Sequence, residues 1–132
     1  MGKRIGARRH LSATLVILDD REDVRVGLER LFGLVFDRVV TAATPDEADA
    51  LITETEAPFL LCDYWLGPEL PSGSEVICTL RARHPCLQKV ALMTGSKVSA
   101  LTDTKGADIV FAKPLDADSV VTFFAGPERQ QA

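Results

Sequence analysis

Carboxylates, a threonine and a lysine end short apolar runs at four separate places in this sequence. The runs LVILDD, LLCD, ALMT and FAK end in Asp19 and Asp20, in Asp63, in Thr94 and in Lys113. Carboxylate oxygens are ligands that Mg²⁺ prefers, and a carboxylate can also act as a nucleophile. An ammonium and a hydroxyl can neutralise and orient a phosphoryl group in transfer. These residue types indicate phosphoryl chemistry at a Mg²⁺ site, provided that the fold brings them together.

Apolar runs and amphipathic segments alternate along the chain and predict five strand and helix pairs. Apolar runs of this length are typical of strands buried on both faces, which we expect at 13–20, 37–42, 58–63, 89–95 and 108–114. The segments between them predict helices over 22–32, 44–57, 74–84, 96–107 and 115–126. Right-handed crossovers then give an α/β, doubly wound parallel sheet with helices on both faces.

The ligand site of such a sheet lies at the carboxyl ends of its strands. Asp19, Asp20, Asp63, Thr94 and Lys113 stand at those ends and are therefore expected to converge. Three carboxylates at one edge raise each other's pKa, so a cation is expected among them.

Several helix ends carry recognisable signals. Thr44 is a typical N-cap and Pro45 suits the first helical position, while Gly33 is expected to end the first helix in the left-handed conformation. The segment 96–107 has few strong helix formers and predicts a short or irregular helix. The inward face of the first helix is predicted to consist of Val24, Leu28, Leu31 and Phe32.

The composition predicts one soluble, cytoplasmic domain. A chain of 132 residues has room for a single core, and it contains neither an apolar run of about 20 residues nor a secretory signal. Cys62, Cys78 and Cys86 lack metal-ligand spacing and are expected to be reduced thiols.

The charges divide the chain into unequal parts. The first ten residues carry four basic groups and no acid, and the other residues carry 11 basic and 19 acidic groups, a net charge of −8. A basic end without a recognition helix is expected to be a solvated arm, so neither a nucleic-acid nor a membrane partner is predicted. We expect an arm over 1–12, a folded domain over 13–126 and a tail over 127–132.

The segments LVILDD, LLCDYWL, ALMTG and FAKP resemble the four signature segments of response regulator receiver domains, which act in two-component signalling. The resemblance covers residues 14 to about 124. It implies a single-domain, flavodoxin-like (βα)5 fold with strand order 2-1-3-4-5.

The resemblance also implies a metal site. Asp63 would be the phosphoacceptor and a ligand of Mg²⁺, and Asp20 a direct ligand. Asp19 would act through a metal-bound water, and Trp65 would contribute its backbone carbonyl.

Two further residues would hold the phosphoryl group. Thr94 would hydrogen-bond it and Lys113 would pair with its oxygens, with a cis peptide bond before Pro114 and with space left by Gly95.

The sequence departs from the family pattern in the loop after Asp63 and at one switch position. The loop after Asp63 reaches Gly73 ten positions on, two more than usual. Val110 stands where the family often has an aromatic switch residue, and we interpret Val110 and Phe111 as ordinary strand residues facing opposite sides of the sheet. Trp65 is expected to slow the attack of water on the phosphorylated site.

The resemblance implies a bacterial signalling domain that catalyses only its own phosphorylation and dephosphorylation. Its phosphodonor would be a histidine kinase or a His-containing phosphotransfer protein docked on the first helix, and its output an unidentified downstream protein. No output domain follows the segment FFAGPERQQA, so we expect signalling by contact, as a monomer or weak dimer. A free-standing regulator and the receiver of a hybrid kinase both stay open.

Three other functions compete with this prediction. A pseudo-receiver would only bind partners, but it would normally lack one of the acidic, Thr or Lys positions. A Mg²⁺-dependent aspartyl phosphatase needs a second Asp two positions after the nucleophile, where this chain has Trp65. A nucleotide-binding module would need a glycine-rich loop after the first strand, and DDREDV places acids there instead.

Overall fold

Five short strands form one parallel sheet at the centre of the protein. The computed structural model describes residues 10–95, 101 and 103–126. The strands are β1 (Leu11–Leu18), β2 (Phe36–Ala42), β3 (Phe59–Asp63), β4 (Lys89–Thr94) and β5 (Ile109–Ala112). Their order is β2-β1-β3-β4-β5. The predicted doubly wound α/β fold and its strand order are confirmed.

Helices cover both faces of the sheet. They are α1 (Glu22–Phe32), α2 (Pro45–Thr55), α3 (Gly73–Arg83) and α4 (Ala117–Ala125). The buried side chains of α2 and α3 pack on one face, and those of α1 and α4 pack on the other. Because both faces are covered, β3 is buried at every position, which explains why its sequence is an unbroken apolar run.

The register places the ends of four strands at one edge. The last partnered positions are Leu18 with Cys62, Asp63 with Met93, and Thr94 with Ala112. The residues that follow these ends therefore meet at the carboxyl edge, as the sequence predicted.

Strand β1 differs from its predicted bounds at both ends. It begins at Leu11, whose N–H donates to the carbonyl of Val35 at 2.8 Å. It ends at Leu18 because the next two residues start a turn, in which the N–H of Arg21 donates to Oδ1 of Asp19 at 2.9 Å. The segments 1–9 and 127–132, most of the predicted arm and the whole predicted tail, lie outside the described residues.

Helix α1 corrects two predictions. Gly33 has φ −62°, so it is not left-handed, and its N–H donates to the carbonyl of Glu29 at 2.8 Å. A Cβ at Gly33 would lie 2.7 Å from that carbonyl oxygen, so close approach and not positive φ favours glycine there. Leu31, predicted to face inward, is 38% exposed, and Phe32 is the buried residue of this helix.

Helix α2 begins as predicted. Thr44 is the N-cap, its hydroxyl accepts a hydrogen bond from the N–H of Glu47, and Pro45 follows. The side chain of Glu47 accepts from the N–H of Ala43 in return, at 2.7 Å. These bonds satisfy donors that a bare helix end leaves unpaired.

The predicted helix over 96–107 falls partly on residues 96–100 and 102, which lie outside the described residues. The described residues of that segment, 101 and 103–107, form no helix. Lys105 and Gly106 instead form a turn, with Gly106 at φ 87°. This agrees with the lack of strong helix formers there.

Val110 and Phe111 face opposite sides of the sheet, as predicted. Val110 packs with the side chains beneath α2 and α3, and Phe111 packs on the other face. The ring of Phe111 meets that of Phe123 edge-on, with centroids 6.1 Å apart. In the described part of the chain, no helix has the length and apolar character needed to span a membrane.

Two glycines provide a matched test of packing beside the site. A Cβ at Gly73 would lie 2.3 Å from the carbonyl oxygen of Asp63, whereas one at Gly27, inside α1, would meet nothing within 4 Å. We expect Gly73→Ala to lower the free energy of unfolding by about 2 kcal/mol through overpacking. Gly27→Ala should raise it by about 0.5 kcal/mol. Urea denaturation measures both changes, and equal effects would contradict this account of Gly73.

Candidate functional site

A lysine and three carboxylates meet at the carboxyl edge of the sheet. One oxygen from each of Asp19, Asp20 and Asp63 lies within 4.8 Å of the others. The ammonium of Lys113 stands between two of them, 3.1 Å from Oδ2 of Asp19 and 3.4 Å from Oδ1 of Asp63. The convergence predicted from four separate apolar runs is therefore observed for these residues.

Asp19 is fully buried and held on every side. Its N–H donates to the carbonyl of Ala42 at 3.1 Å. Its Oδ1 accepts from the N–H of Arg21, and its carbonyl oxygen accepts from the guanidinium of Arg25, each at 2.9 Å. With Oδ2 bound to Lys113, both carboxylate oxygens already have a donor, which suits a group that orients its neighbours.

The surroundings of Asp63 favour its protonated form. Asp63 is 6% exposed, and burial raises its pKa from 3.8 to about 6, with the charge of Asp19 acting in the same direction and Lys113 against it. Asp20, by contrast, is exposed at the mouth of the site. At neutral pH Asp63 is still mostly ionised and only partly solvated, a suitable state for a nucleophile.

The neighbours of Lys113 stabilise its charged form. Burial works against its ammonium form, but the charges of Asp63 and Asp19 outweigh burial and raise its pKa. Three carboxylates and one ammonium leave a net charge of −2 in this cluster. A divalent cation has the opposite charge and prefers oxygen ligands, so the donor set fits the predicted metal.

Thr94 ends the neighbouring strand and is 3% exposed. Its carbonyl accepts a hydrogen bond from the N–H of Lys113 at 2.8 Å, so the two predicted phosphoryl-binding residues share one backbone link. Gly95 is exposed, and a Cβ there would meet nothing within 4 Å. The peptide bond between Lys113 and Pro114 is cis, as predicted.

The loop after Asp63 is closed at its base. The N–H of Tyr64 donates to the carbonyl of Met93 at 2.8 Å, and the carbonyl of Tyr64 accepts from the N–H of Gly73 at 2.7 Å. Trp65 follows directly and its side chain is 61% exposed. The role of its backbone carbonyl as a metal ligand stays a prediction.

One residue beside the site, Arg25, was not predicted from the sequence, whereas Cys62 was expected to be a reduced thiol. Arg25 reaches back from α1 to the carbonyl of Asp19, and the only available signal was a basic residue one turn into the helix. The thiol of Cys62 donates to the carbonyl of Asp63 at 3.4 Å, and burial raises its pKa. Cys62, Cys78 and Cys86 form no disulfide, and the burial of Cys62 agrees with a structural thiol.

No protein-family model matches this sequence, and no curated protein sequence matches it. Solved structures do match the fold. A response regulator of Burkholderia pseudomallei, solved with a phosphorylated aspartic acid and a calcium ion, is 26% identical with a TM-score of 0.72, over 85% of this chain and 66% of that one. A LuxR-family regulator of Aurantimonas is also 26% identical with a TM-score of 0.72, over 86% and 83%.

The predicted resemblance to response regulator receiver domains is confirmed. A receiver domain of Bacteroides fragilis, 20% identical, has the same fold with a TM-score of 0.73, over 90% of this chain and 99% of that one. Because the chain spans 66% of the Burkholderia protein, the receiver fold is what the two share.

The raised pKa of Asp63 predicts how stability depends on pH. The folded pKa lies above the unfolded value, so ionised Asp63 costs stability above pH 6, and this cost disappears as the pH falls from about 6 to about 4. Asp63→Asn should therefore raise the free energy of unfolding at pH 7.5 by on the order of 1 kcal/mol, and the gain should shrink towards zero near pH 4.

Urea denaturation across this pH range measures the effect. Glu69→Gln, which removes an exposed carboxylate from the neighbouring loop, is the control and should show no such pH dependence. A gain for Asp63→Asn that stays constant from pH 4 to 7.5 would contradict the electrostatic explanation.

Proposed function

We propose that this chain is a phosphoacceptor receiver domain of a two-component phosphorelay, in which Asp63 takes a phosphoryl group with Mg²⁺ bound beside it. One observation carries the proposal: the ammonium of Lys113 lies within 3.4 Å of Asp63 and 3.1 Å of Asp19, in a cluster that also contains Asp20. This arrangement combines a nucleophile, a charge-neutralising cation and spare oxygen ligands.

The reaction would begin with attack of a carboxylate oxygen of Asp63 on the phosphorus of a phosphohistidine. A new O–P bond forms, the N–P bond of the donor breaks, and its electron pair returns to the imidazole nitrogen. The product is an acyl phosphate on Asp63 and a free histidine. Because the pKa of Asp63 is about 6, most of its carboxylate is ionised at neutral pH and available for this attack.

Lys113 and Thr94 would hold the transferred group. An ammonium that already lies beside Oδ1 of Asp63 is placed to balance the added negative charge without first reorganising. Thr94 is proposed to donate its hydroxyl to a phosphoryl oxygen, and its position one residue beyond the partner of Asp63 in β4 supports this role.

Mg²⁺ would be held by Asp20 and Asp63 with the carbonyl of Trp65, and by Asp19 through a water. When bound, the ion supplies positive charge that neutralises the phosphoryl oxygens. Asp20 is exposed and thus accessible to a hydrated ion, while both oxygens of Asp19 already accept hydrogen bonds. This difference supports a direct role for Asp20 and an indirect one for Asp19.

The partners follow from the same proposal. The phosphodonor would be a histidine kinase or a His-containing phosphotransfer protein that docks on α1, and an unidentified protein would receive the signal by contact. The domain would act in the cytoplasm as a monomer or weak dimer and would modify no other substrate.

Phosphorylation can be tested directly with acetyl phosphate and Mg²⁺, followed by intact mass. We expect the chain to gain one phosphoryl group, Asp63→Asn to gain none, and a chelator to abolish the reaction. Glu69→Gln should react like the original chain. No mass gain, under conditions that modify a known receiver domain, would overturn the proposal and favour a pseudo-receiver that acts by binding alone.

Trp65 is predicted to lengthen the life of the phosphorylated form by restricting the approach of water. After removal of the donor, Trp65→Asn should lose its phosphoryl group several-fold faster than the original chain. Leu70→Asn removes an exposed apolar side chain from the same loop and should not change the rate. Equal decay of both variants, measured by intact mass over time, would show that the indole does not protect the site.

A further inference from the structure

A groove between α2 and α3 lies outside the carboxylate cluster. Its volume is about 220 Å³, smaller than the roughly 300 to 1,000 Å³ of typical small-molecule sites. A space of this size suits one or two side chains of another protein better than a cofactor.

Apolar residues form part of the groove. Pro45 contributes from the start of α2 and Pro71 from the loop before α3, while Val76 and Leu80 form its base. Val76 and Leu80 are almost fully covered by the core, so the base is fixed. The groove is therefore a preformed feature with a small apolar surface.

Acidic residues give the groove its charge. Asp46 and Asp49 line the α2 side and Glu75 lines the α3 side. Asp49 is already engaged, because Nε of Arg83 lies 3.1 Å and Nε2 of His84 lies 2.6 Å from its Oδ1. The groove is lined by three carboxylates and one guanidinium, that of Arg83, so its net charge is negative.

Asp46 and Glu75 have no ion-pair partner within the described ranges. Each is in the first turn of its helix, where a negative charge favours the helix itself. That effect explains why acids occur there, yet both side chains are exposed and their charges remain available to a ligand.

A metal ion does not fit this groove. Within residues 10–95, 101 and 103–126, the converging group of three or more possible metal ligands is the cluster of Asp19, Asp20 and Asp63. The acids of the groove are spread along two helices instead. A ligand that meets separate negative charges and an apolar surface must itself be extended and basic.

We propose that the groove between α2 and α3 binds a segment of a partner protein in which lysine or arginine residues stand beside apolar ones. The basic side chains pair with Asp46 and Glu75, and an apolar side chain contacts Pro45 and Pro71. The net charge of −8 on the residues after the first ten attracts such a segment from a distance. This binding is separate from phosphoryl transfer and requires neither Mg²⁺ nor a phosphodonor.

The test uses the full chain and a fluorescein-labelled hexapeptide of alternating leucine and arginine, with fluorescence anisotropy as the readout and a chelator present. The double variant Asp46→Asn/Glu75→Gln should weaken binding at least about fivefold. The double variant Glu29→Gln/Glu54→Gln removes the same charge outside the groove and should bind within about twofold of the original chain.

A second variant tests the groove without removing an acid. Thr79 lines the groove and is exposed, so Thr79→Arg should leave the fold intact, fill the space with a competing guanidinium and weaken binding similarly. Circular dichroism checks the fold of each variant.

Three outcomes would overturn the proposal. Equal weakening by both double variants would mean unspecific charge attraction, and undiminished binding by Thr79→Arg would place the peptide elsewhere. Self-association in sedimentation that Asp46→Asn/Glu75→Gln abolishes would assign the groove to a second copy of the chain. Because every measurement omits Mg²⁺ and phosphodonor, the result is independent of the proposed phosphorylation.

Discussion

The site depends on one ammonium held between two buried carboxylates. Without Lys113, the buried carboxylates of Asp19 and Asp63 would lose their cationic partner, and buried charges without one are very costly. The sheet is what makes the contact possible, since Asp19 and Asp63 end adjacent strands near its middle and Lys113 follows its edge strand. The parallel register and the turns after the strands serve to bring these groups together at one edge.

The three carboxylates are chemically alike but differ in their surroundings. Both carboxylate oxygens of Asp19 accept hydrogen bonds, Asp20 is exposed, and Asp63 is buried with Lys113 beside it. Burial and hydrogen bonding thus give the three carboxylates different environments. The same residue type differs from place to place because the backbone sets different neighbours around each copy.

Much of this arrangement could be predicted from sequence, because buried parallel strands leave a strong pattern. Apolar runs ending in Asp63, Thr94 and Lys113 located the strands to within one or two residues. Contacts between side chain and backbone leave no such pattern. The bond from Arg25 to the carbonyl of Asp19, and the close approach at Gly33, depend on details of turn geometry that residue types do not encode.

The connection between β4 and β5 shows a different limit of sequence reasoning. A helix was predicted there from the alternation of elements, but its described final part is held by side chains of α3. The hydroxyl of Ser74 donates to the carbonyl of Lys105 at 2.7 Å, and Arg81 donates to the carbonyl of Gly106 at 2.8 Å. These hydrogen bonds fix the segment through residues that are distant in the sequence. No local sequence pattern therefore predicts them. The loop after Asp63 is ordered in a related way, closed at its neck by the bond between Tyr64 and Gly73. Because this bond closes the base of the loop next to Asp63, the two residues by which the loop exceeds the usual family length can lie beyond the closed base without changing the backbone at Asp63.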